Sequence, residues 1–586
     1  FEQWEHLTVN EGDWVLNNGG VDEDDLVTLQ IEGGSFTIPV GDQLTPDTVE
    51  LLNGDLHVDG VLDAANGVDM SDGVLTGTGV IVGDVSVADG TISPETVGEE
   101  GELRIDGDLS LGEDVELIMD VDPVTGEADR LIVTGELTTT NTKLTVDGNA
   151  GGAEDQDFVV IDAGTIDGDL TIDDTATLDF DLTIDPVTGD VSIKVNPNYD
   201  NAGGNDGDNT DNQNDTRQGI ADAVDEGTID EDLLDALDDV EDQDYLAILD
   251  QLHGEPYNLN SVAVIMANNL FSHQILHRLG DRERCGSLDG ALEGRCRSAG
   301  ERDVWVDFVH ERLDYEHPDA SMEANIDLNQ VYVGVDAHAE NATFGFAGAY
   351  ARNNSKTDLN AQIDGQILNL GVYGSQNLGL FNLDGALVYG VSRQQTQRKI
   401  VIDGTLGAQD VFEEIVVGES SRQTILLDSA VTQEYRIESG LELQPKVGLT
   451  FSHSLDGRVR ETPKVGANCG ACLQVDLDPY TRLSTNIGAE ARLPIDAGRN
   501  LKIFPEFRAA WEHTLVGRQA GQTNAFANGS NVAWSIDGYM PDNQWSAGFG
   551  LNLEIGEAWI GYADFDRTTL TTGKDSRYSI GLRRTF

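Results

Sequence analysis

The chain has 586 residues, of which 34 are lysine or arginine and 107 are aspartate or glutamate, so its net charge is −73. A surface of this charge repels nucleic acid and anionic lipid headgroups, which argues against both as partners. The length requires more than one domain, and no apolar run reaches 18 residues, so no transmembrane helix is predicted. The chain begins at Phe1 within a strand-like pattern, and we expect further residues upstream.

Residues 1–195 contain a degenerate repeat in which a glycine and an acidic residue begin a short alternating strand. The glycines lie at positions 54, 83, 107, 135 and 168, at intervals of 29, 24, 28 and 33 residues. Short strands with glycine, asparagine and aspartate turns at such a period predict a solenoid, most simply a right-handed parallel β-helix. A β-sandwich is the alternative, since turn spacing alone is compatible with it.

The first 200 residues carry only four basic residues, Arg104, Arg130, Lys143 and Lys194. Their acidic residues lie mostly at strand ends and turns, which indicates a solvated, self-repelling surface. Capture of Ca²⁺ by turn aspartates is the alternative interpretation. No catalytic motif is visible, and the histidines at positions 6 and 57 have no catalytic neighbour in sequence, so no enzyme activity is predicted.

Residues 196–218 are rich in asparagine, glycine and aspartate and have almost nothing apolar to bury, so we predict a flexible acidic linker. Asp206, Asp208 and Asp211 loosely resemble a calcium loop. The glycine and the distant bidentate glutamate of an EF-hand are missing, so these residues are weak calcium candidates. No other cofactor is predicted.

A helical segment is predicted over 219–300. Thr228 or Asp230 is suited to cap a first helix whose apolar residues have helical spacing, and Gly254-Glu255-Pro256 ends that run. A second helix is predicted from about 259 to 280, where apolar residues mix with asparagine, glutamine and histidine. A helix that is polar around its girth suits the polar lumen of a barrel better than an apolar core.

The four cysteines form two close pairs, which suits an oxidising compartment. Cys285 and Cys296 flank a glycine-rich segment, where a disulfide would close a short loop. Cys469 and Cys472 form a CxxC pair within a loop. Half of a zinc site and a thioredoxin-like centre are the alternatives, but neither a second ligand pair nor a βαβ pattern accompanies the motif. We therefore predict a structural disulfide there.

From residue 301 to the end, apolar residues alternate with small or polar ones in twelve segments. These lie near 302–314, 326–339, 341–353, 362–375, 378–392, 423–437, 439–453, 478–493, 499–513, 543–555, 557–568 and 575–586. Their length suits tilted membrane strands, and their connections alternate between short turns and long polar loops, which is typical of an outer-membrane β-barrel. A repeated soluble β-sandwich is the alternative.

Aromatic residues near the ends of these segments are predicted to form interfacial girdles. They are Trp305, Tyr373, Phe381, Tyr389, Trp511, Trp545, Trp559 and Phe586.

The last segment indicates how the barrel closes. Tyr578, Ile580, Leu582 and Phe586 share one face of an extended strand, and small or polar residues share the other. Because a closed barrel pairs its last strand with its first, residues 575–586 are predicted to pair with 302–314.

This layout resembles the monomeric autotransporters of the type Va secretion family. Residues 249–255 read Leu-Asp-Gln-Leu-His-Gly-Glu and are similar to the Leu-Asp-Gln-Leu-Ser-Gly-Glu signature upstream of many such barrels, with His253 in place of the serine. Val304-Trp305-Val306 resembles the first strand of these barrels, and residues 381–385 resemble the fifth. Arg584 departs from the apolar or aromatic residue usual at that position, and we expect its side chain to snorkel to the interface.

The resemblance implies a location, partners and a mechanism. The barrel would insert into outer-membrane lipid of a Gram-negative bacterium through the barrel-assembly machinery, with help from periplasmic chaperones, and the C-terminal strand would be the assembly signal. The passenger, residues 1–195, would cross as a hairpin and fold outside, while the helix near 259–280 stays in the pore. We expect a monomer that displays its passenger to an unknown surface ligand. Export and surface display is the predicted function. A surface adhesin and an anchor for a hydrolase domain upstream of Phe1 are the two alternatives.

Asn268 and Asn269 are candidates for self-cleavage. Some secreted-protease autotransporters cut themselves between two asparagines through cyclisation of the first, and Asn268-Asn269-Leu270 resembles that site. The spacing to Gly280-Asp281 is longer here than in those proteins. The alternative is that both side chains simply face a wet lumen.

Overall fold

The computed structural model describes residues 5–17, 26–96, 100–122, 125–147, 156–202, 209–240, 242–280, 300–316, 322–403, 412–437, 440–498, 500–528, 531–556 and 558–586. The chain divides into two compact units. The solenoid unit comprises Phe1–Asn205, Ile229–Leu246 and Ile402–Phe412, and the barrel unit comprises Asp206–Thr228, Ala247–Val401 and Glu413–Phe586. Within the described residues, no helix is both long and apolar enough to cross a membrane.

The solenoid unit is built from short strands that pair mainly in parallel. They are β1 (His6–Val9), β2 (Asp13–Val15), β3 (Thr28–Ile31), β4 (Ser35–Ile38), β5 (Gln43–Leu44), β6 (Thr48–Leu51), β7 (Asp55–Val58), β8 (Val61–Asp63), β9 (Val68–Met70), β10 (Val74–Thr76), β11 (Val80–Val82), β12 (Val85–Ser93), β13 (Glu102–Asp106), β14 (Leu109–Asp122), β15 (Glu127–Ala128), β16 (Arg130–Thr139), β17 (Thr142–Asp147), β18 (Asp157–Asp167), β19 (Leu170–Ile172), β20 (Leu178–Ile184) and β21 (Asp190–Pro197). Each of β6, β7 and β8 pairs in parallel with its counterpart one coil later, which is β9, β10 or β11. This parallel stacking fits the predicted β-helix.

Apolar side chains point inward and stack from coil to coil. One such row consists of Leu29, Val49, Val68, Val85, Leu109 and Leu137. Each of these side chains is at most 1 % exposed. Full burial of a side chain of this size contributes about 1.5–3 kcal/mol, so the inward rows supply the solenoid with a continuous core.

Glycines occupy corners where successive coils approach closely. A β-carbon at Gly54 would lie 2.6 Å from the carbonyl oxygen of Gly34, and one at Gly107 would clash with that of Gly83. Gly54 and Gly83 occupy different corners of the solenoid. The repeat predicted from their spacing therefore joins two corners that do not stack on each other. Strand register instead gives coil lengths of 19, 17 and 24 residues over 49–109.

A 3₁₀ helix (Tyr199–Asn201) and four α-helices follow the last solenoid strand among the described residues: α1 (Asp211–Asp225), α2 (Glu231–Asp238), α3 (Asp242–Leu252) and α4 (Pro256–Gly280). Helix α2 covers the C-terminal end of the solenoid. The buried carboxylate of Asp238 accepts hydrogen bonds from Thr177 Oγ1 (2.7 Å) and from the Tyr199 hydroxyl (2.6 Å). Burial raises the pKa of Asp238 to about 7. A terminal cap of this kind protects an otherwise open solenoid end.

The prediction of a flexible linker over 196–218 is wrong for its described C-terminal part, which lies in α1. Thr210 and Gln213 form a capping box, since each side chain accepts a hydrogen bond from the other residue's backbone amide. Gly219 lies against Trp534, where a β-carbon would come within 2.5 Å of the indole ring. The polar composition concealed this helix because capping and docking stabilise it, and neither requires a long apolar stripe.

The barrel unit contains the twelve predicted strands, which form a closed antiparallel barrel. They are β22 (Arg302–Tyr315), β23 (Ala324–His338), β24 (Ala342–Thr357), β25 (Gln362–Asn377), β26 (Asn382–Ile402), β27 (Phe412–Thr432), β29 (Glu442–Ser454), β33 (Tyr480–Arg492), β35 (Leu501–Val516), β38 (Asn543–Ile555), β39 (Trp559–Leu570) and β40 (Gly573–Thr585). Strand β40 pairs with β22 over thirteen residue pairs, from Tyr315 with Gly573 to Asp303 with Thr585. This pairing closes the barrel at the predicted place.

Two of the predicted polar loops are folded. The loops 455–479 and 517–542 contribute a separate four-stranded antiparallel sheet, whose order is β30 (Gly457–Arg460), β32 (Leu473–Leu477), β36 (Gln519–Phe526) and β37 (Trp534–Tyr539). Additional short strands are β28 (Tyr435–Arg436), β31 (Thr462–Pro463) and β34 (Ile495–Gly498). Strands β26 and β27 also extend into the loop predicted over 392–423. We call the barrel end with these folded loops the loop end, and the opposite end the turn end.

The two barrel faces follow the predicted alternation. On β40, Ile580 is 61 % exposed on the outer face and Arg583 is 7 % exposed on the inner face. The girdle prediction is wrong for Trp305 and Tyr373, which are buried in the lumen, where the indole Nε1 donates to the Tyr373 hydroxyl (3.0 Å). Trp305 lies over Gly334, which has no side chain to compete for this space.

Asp129 in the solenoid unit gives a testable pH dependence. Its carboxylate is fully buried and accepts hydrogen bonds from the amides of Gly101 (2.6 Å) and Asp120 (3.0 Å). Burial outweighs these two bonds and raises the pKa of Asp129 from its ordinary 3.8 to about 8. The folded state therefore holds this proton more tightly than the unfolded state. The resulting stability is complete below about pH 4 and is lost as the pH rises towards 8.

We expect hydrogen–deuterium exchange of peptides over 101–134 to show decreasing protection from pH 5 to pH 8, after correction for the intrinsic pH dependence of exchange. Asp129→Asn should flatten this decrease, because the substituted side chain does not titrate. Asp114→Asn, at an exposed position in the same region, should retain it. An unchanged slope in Asp129→Asn would contradict the assignment.

Candidate functional site

Helix α4 lies inside the barrel. Its 25 residues span about 38 Å at 1.5 Å per residue, and Pro256 begins it at a position where a missing amide hydrogen has no cost. One side of the helix is apolar and packs on the barrel wall, as where the rings of Phe271 and Tyr332 lie 5.3 Å apart. The helix therefore has a defined side facing β23, β24 and β25.

A second side of α4 carries a row of polar residues that bond to the wall. Asn260 Nδ2 donates to Thr396 Oγ1 (3.2 Å) and to Ser420 Oγ (3.1 Å). Further along the row, Asn268 Nδ2 donates to Thr424 and Ser272 Oγ donates to Asp428 Oδ2 (2.9 Å). All of these side chains are buried. We call Asn260, Asn268 and Ser272 the polar row.

The polar row matches β27 in length. From residue 260 to residue 272 the helix rises about 18 Å. The partner residues 420, 424 and 428 share one face of β27 and span about 26 Å of strand, which projects onto about 19 Å at a 45° tilt. The helix and the tilted strand can therefore bond at three levels at the same time.

The turn end of α4 is fixed by Arg278. Its guanidinium lies 4.0 Å from the centroid of the Trp305 ring, and its Nη1 donates to the Tyr562 hydroxyl (2.9 Å). The carboxylates of Asp307 and Asp336 lie 3.7 and 4.0 Å away. A cation in the last turn also complements the negative end of the helix dipole.

The loop end of α4 is fixed by a buried ion pair. Arg398 Nε and Nη2 donate to the two carboxylate oxygens of Glu461, each at 2.7 Å. The same carboxylate accepts from the Tyr257 hydroxyl and from the amide of Leu473, also at 2.7 Å. Because both charges are paired and further hydrogen-bonded, these interactions offset the desolvation penalty of burying them.

The segment 249–255 forms the junction between α3 and α4. The His253 side chain is fully buried, and its Nδ1 accepts from the Glu255 amide (3.0 Å). Burial, with a smaller contribution from Arg398, lowers the pKa of His253 to about 3, so the ring is neutral. The carbonyl groups of His253 and Gly254 accept from Asn524 and Gln522 of the folded loops. The junction is therefore held by backbone groups as well as by side chains.

Comparison with known families identifies the barrel. The family model described as Autotransporter beta-domain matches residues 304–566. Those residues form an autotransporter β-domain. The protein is thus an outer-membrane autotransporter of a Gram-negative bacterium, and its barrel mediates export of the segment that precedes it.

Solved structures of autotransporter domains are similar to part of the chain. The translocator domain of NalP from Neisseria meningitidis is 16 % identical, with 56 % of this chain and 98 % of that chain covered and a TM-score of 0.39. The transport unit of AIDA-I from Escherichia coli is 15 % identical, with 54 % and 98 % covered and a TM-score of 0.33. The β domain of BrkA from Bordetella is 14 % identical, with 49 % and 99 % covered and a TM-score of 0.33. No curated protein matches the chain.

The remaining predicted site residues of the autotransporter lie in separate elements. Asn268 and Asn269 lie next to each other within α4, and only Asn268 belongs to the polar row. Cys469 and Cys472 form a disulfide in a folded loop, and the amides between them donate to Glu414 at 2.9 and 3.0 Å. Asp211 is the exposed first residue of α1. The other candidates, Asp206, Asp208, Cys285 and Cys296, lie outside the described residues.

Arg584 has a specific environment in the autotransporter barrel. It faces outward at the turn end, where its guanidinium lies 5.1 Å from the centroid of the Trp559 ring and 4.6 Å from that of Phe586. Two aromatic faces at the membrane interface are favourable partners for a cation. The departure from the family pattern is therefore accommodated beside the terminal aromatic residue.

A charged cavity that was not predicted from the sequence runs beside α4. Its volume is about 270 Å³, and its lining includes His273, His277, Arg482, Arg508, Glu512 and Asp566. Arg508 bonds to Asp564 (2.8 Å) and Asp566 (3.2 Å), and Arg577 bonds to Asp566 (2.7 Å). The sequence did contain a signal for this cavity. Arginines occur on the strand faces that otherwise carry small residues, and these faces point into the lumen.

Arg278 provides a test of the seal at the turn end. Arg278→Met removes the guanidinium that faces Asp307, and loss of one partner from a buried ion pair costs about 3 kcal/mol or more. We expect the last turn of α4 to leave its position and the single-channel conductance of the full chain in planar lipid bilayers to rise.

The matched control is Arg393→Met, because Arg393 forms an exposed ion pair with Glu419 (2.6 Å) away from the pore. Its conductance should equal that of the unsubstituted protein. Equal conductance in Arg278→Met would show that this contact does not hold the helix.

Proposed function

We propose that α4 anchors the exported solenoid at the cell surface once transport is complete. The observation that carries this proposal is the polar row, which bonds α4 to β27 at three levels of the lumen. Each such bond has a net worth of about 1 kcal/mol, and a buried polar group that loses its partner costs about 1–3 kcal/mol. Withdrawal of the helix would break all of these bonds together with the contacts at both ends.

The exported solenoid acts by binding, as a surface adhesin, and not by catalysis. Its outward faces are regular and polar, with side chains bonded from coil to coil, as where Gln30 Nε2 donates to Glu50 Oε2 (2.9 Å). Such extended faces are typical of solenoids that recognise partners. Stacking of coils outside the membrane would also bias transport outward without a nucleotide.

Attachment of whole cells tests this role. Bacteria that display the full chain should bind to a surface or a neighbouring cell more strongly than bacteria that carry a variant lacking residues 1–195. Equal attachment would argue against an adhesin, and release of product from a panel of ester, peptide and glycoside substrates by displaying cells would favour an enzyme.

We further propose that the bond between Asn268 and Asn269 stays intact, so that the solenoid remains attached. Cyclisation requires the side-chain amide nitrogen of Asn268 to attack the backbone carbonyl carbon of the same residue. This nitrogen donates to Thr424, and Asn268 lies in the middle of α4.

We expect intact-mass measurement of protein purified from outer membranes to give a single chain that includes both residues. A C-terminal fragment that begins at Asn269 would refute this.

The barrel-assembly machinery and periplasmic chaperones are proposed partners, with the last strand as the recognised segment. Phe586 exposes 65 % of its surface on the outer face, while its amide donates to the Arg302 carbonyl group (3.0 Å) to end the closing ladder.

Deletion of Phe586 should lower the amount of heat-modifiable barrel in outer membranes severalfold. Val187→Ala, at an exposed position of the solenoid, is the control and should leave this amount unchanged. An unchanged amount after deletion of Phe586 would show that the strand is not the signal.

A further inference from the structure

A histidine and two carboxylates meet on the solenoid unit, where export and anchoring do not require them. His57 lies in β7, Asp59 follows directly after that strand, and Glu95 lies in the turn after β12. One nitrogen or oxygen atom of each residue lies within 4.8 Å of the others. All three residues are half-buried, so that a small ion can reach them from solvent.

The ring of His57 is oriented by a neighbouring coil. Its Nδ1 lies 2.8 Å from Thr76 Oγ1, and its Nε2 lies 3.0 Å from Asp59 Oδ2. Thr76 is the register partner of His57 in β10. In the tautomer with the proton on Nδ1, this nitrogen donates a hydrogen bond to the Thr76 hydroxyl, and the lone pair of Nε2 faces the carboxylates. Metal-binding histidines are commonly held in this way by a bond to the second ring nitrogen.

Asp59 is also positioned by a second contact. Its Oδ1 accepts from the amide of Thr78 (3.3 Å) and from the Thr78 hydroxyl (3.4 Å). Its other oxygen, Oδ2, is the one that faces His57. His57 and Asp59 therefore each have one side-chain atom held by the solenoid and a second side-chain atom directed into the cluster.

The charges around this cluster distinguish it from a similar one in the barrel. His277, Glu490 and Glu506 also come together in the lumen. There, Arg508 Nη1 lies 3.3 Å from His277 Nε2 and 3.8 Å from Glu506 Oε2, so a guanidinium group already lies against these two ligand atoms. In the solenoid, by contrast, no lysine or arginine of the described residues forms an ion pair with Asp59 or Glu95.

We propose that His57, Asp59 and Glu95 bind a divalent transition-metal ion of the zinc class, with a fourth position open to water. The 3.0 Å between His57 Nε2 and Asp59 Oδ2 is close to the distance of about 3.3 Å that separates two ligand atoms on a tetrahedral zinc ion with bonds of 2.0–2.1 Å. The imidazole ligand favours such a metal over Ca²⁺ or Mg²⁺, which prefer oxygen ligands. The ion would also neutralise the two carboxylates.

A hydrolytic triad is the competing interpretation, since a hydroxyl, an imidazole and a carboxylate lie in line. In such triads the nucleophile bonds to Nε2 and the carboxylate bonds to Nδ1. Here the Thr76 hydroxyl is on Nδ1 and Asp59 is on Nε2, which is the reverse. The triad also gives no role to Glu95, whereas a metal site uses all three ligands and the hydroxyl.

Metal titration of the full chain in detergent micelles tests the proposal. After removal of bound metals with a chelator, Zn²⁺ is added and binding is followed by calorimetry. The unsubstituted protein should show a tight site that His57→Gln loses, while His6→Gln and His277→Gln retain it. Thr76→Val should keep the site but weaken it about 10- to 100-fold, as expected for loss of a group that orients a ligand.

Circular dichroism of His57→Gln should match that of the unsubstituted protein, so that loss of binding cannot be attributed to misfolding. Failure of the unsubstituted protein to bind Zn²⁺ would overturn the proposal. Unchanged binding by His57→Gln would overturn it as well, and loss of the site in His277→Gln would place the metal in the barrel.

Discussion

The ladder between β22 and β40 is the interaction on which the rest of the barrel depends. Inside a membrane no water is available to backbone amides and carbonyl groups, so every strand needs two partners. The first and last strands each pair with one neighbour in sequence and obtain their second partner only from each other, over thirteen residue pairs. Without this closure the sheet would have two open edges in hydrocarbon, and the outward-facing apolar residues would have no stable arrangement.

Closure also creates the environment of α4. A closed barrel has an interior that lipid cannot enter, and the small or polar residues of each strand are directed into it. Charged residues such as Arg398 and Glu461 are stable there because they neutralise each other and because neighbouring groups complete their hydrogen bonds. The helix fills the lumen unevenly, with apolar packing on one wall and a charged cavity beside the other. Helix α4 is therefore held by directional contacts and not by tight packing on all sides.

The sequence predicted the features that depend on periodicity. Alternation along each strand identified the twelve barrel strands, and the outward position of Ile580 and the inward position of Arg583 follow from it. The mixed polarity of α4 indicated a lumenal helix. In the solenoid, alternation and turn residues indicated a β-helix, although the glycine repeat confused two corners because both place glycine before an aspartate.

Features that depend on contacts distant in sequence were not predicted. Trp305 looks like any interfacial aromatic residue until Gly334, Tyr373 and Arg278 are placed around it. Helix α1 looks like a linker until Trp534 is placed against it. The ligand cluster of the solenoid combines residues 57 and 95, whose separation in sequence reflects unequal coil lengths. No local pattern records any of these pairings, because each one is created by the packing or the register of elements that are distant in sequence.

The match between the polar row and β27 gives the pore helix a single resting depth. A shift of one residue along the pore would move α4 by about 1.5 Å and rotate it by about 100°, which takes all three polar side chains away from β27 at once. The chain moving outward through the barrel would therefore stop where Asn260, Asn268 and Ser272 meet their partners. The spacing of these three side chains would then set the end point of transport, and the length of the exported segment would not affect it.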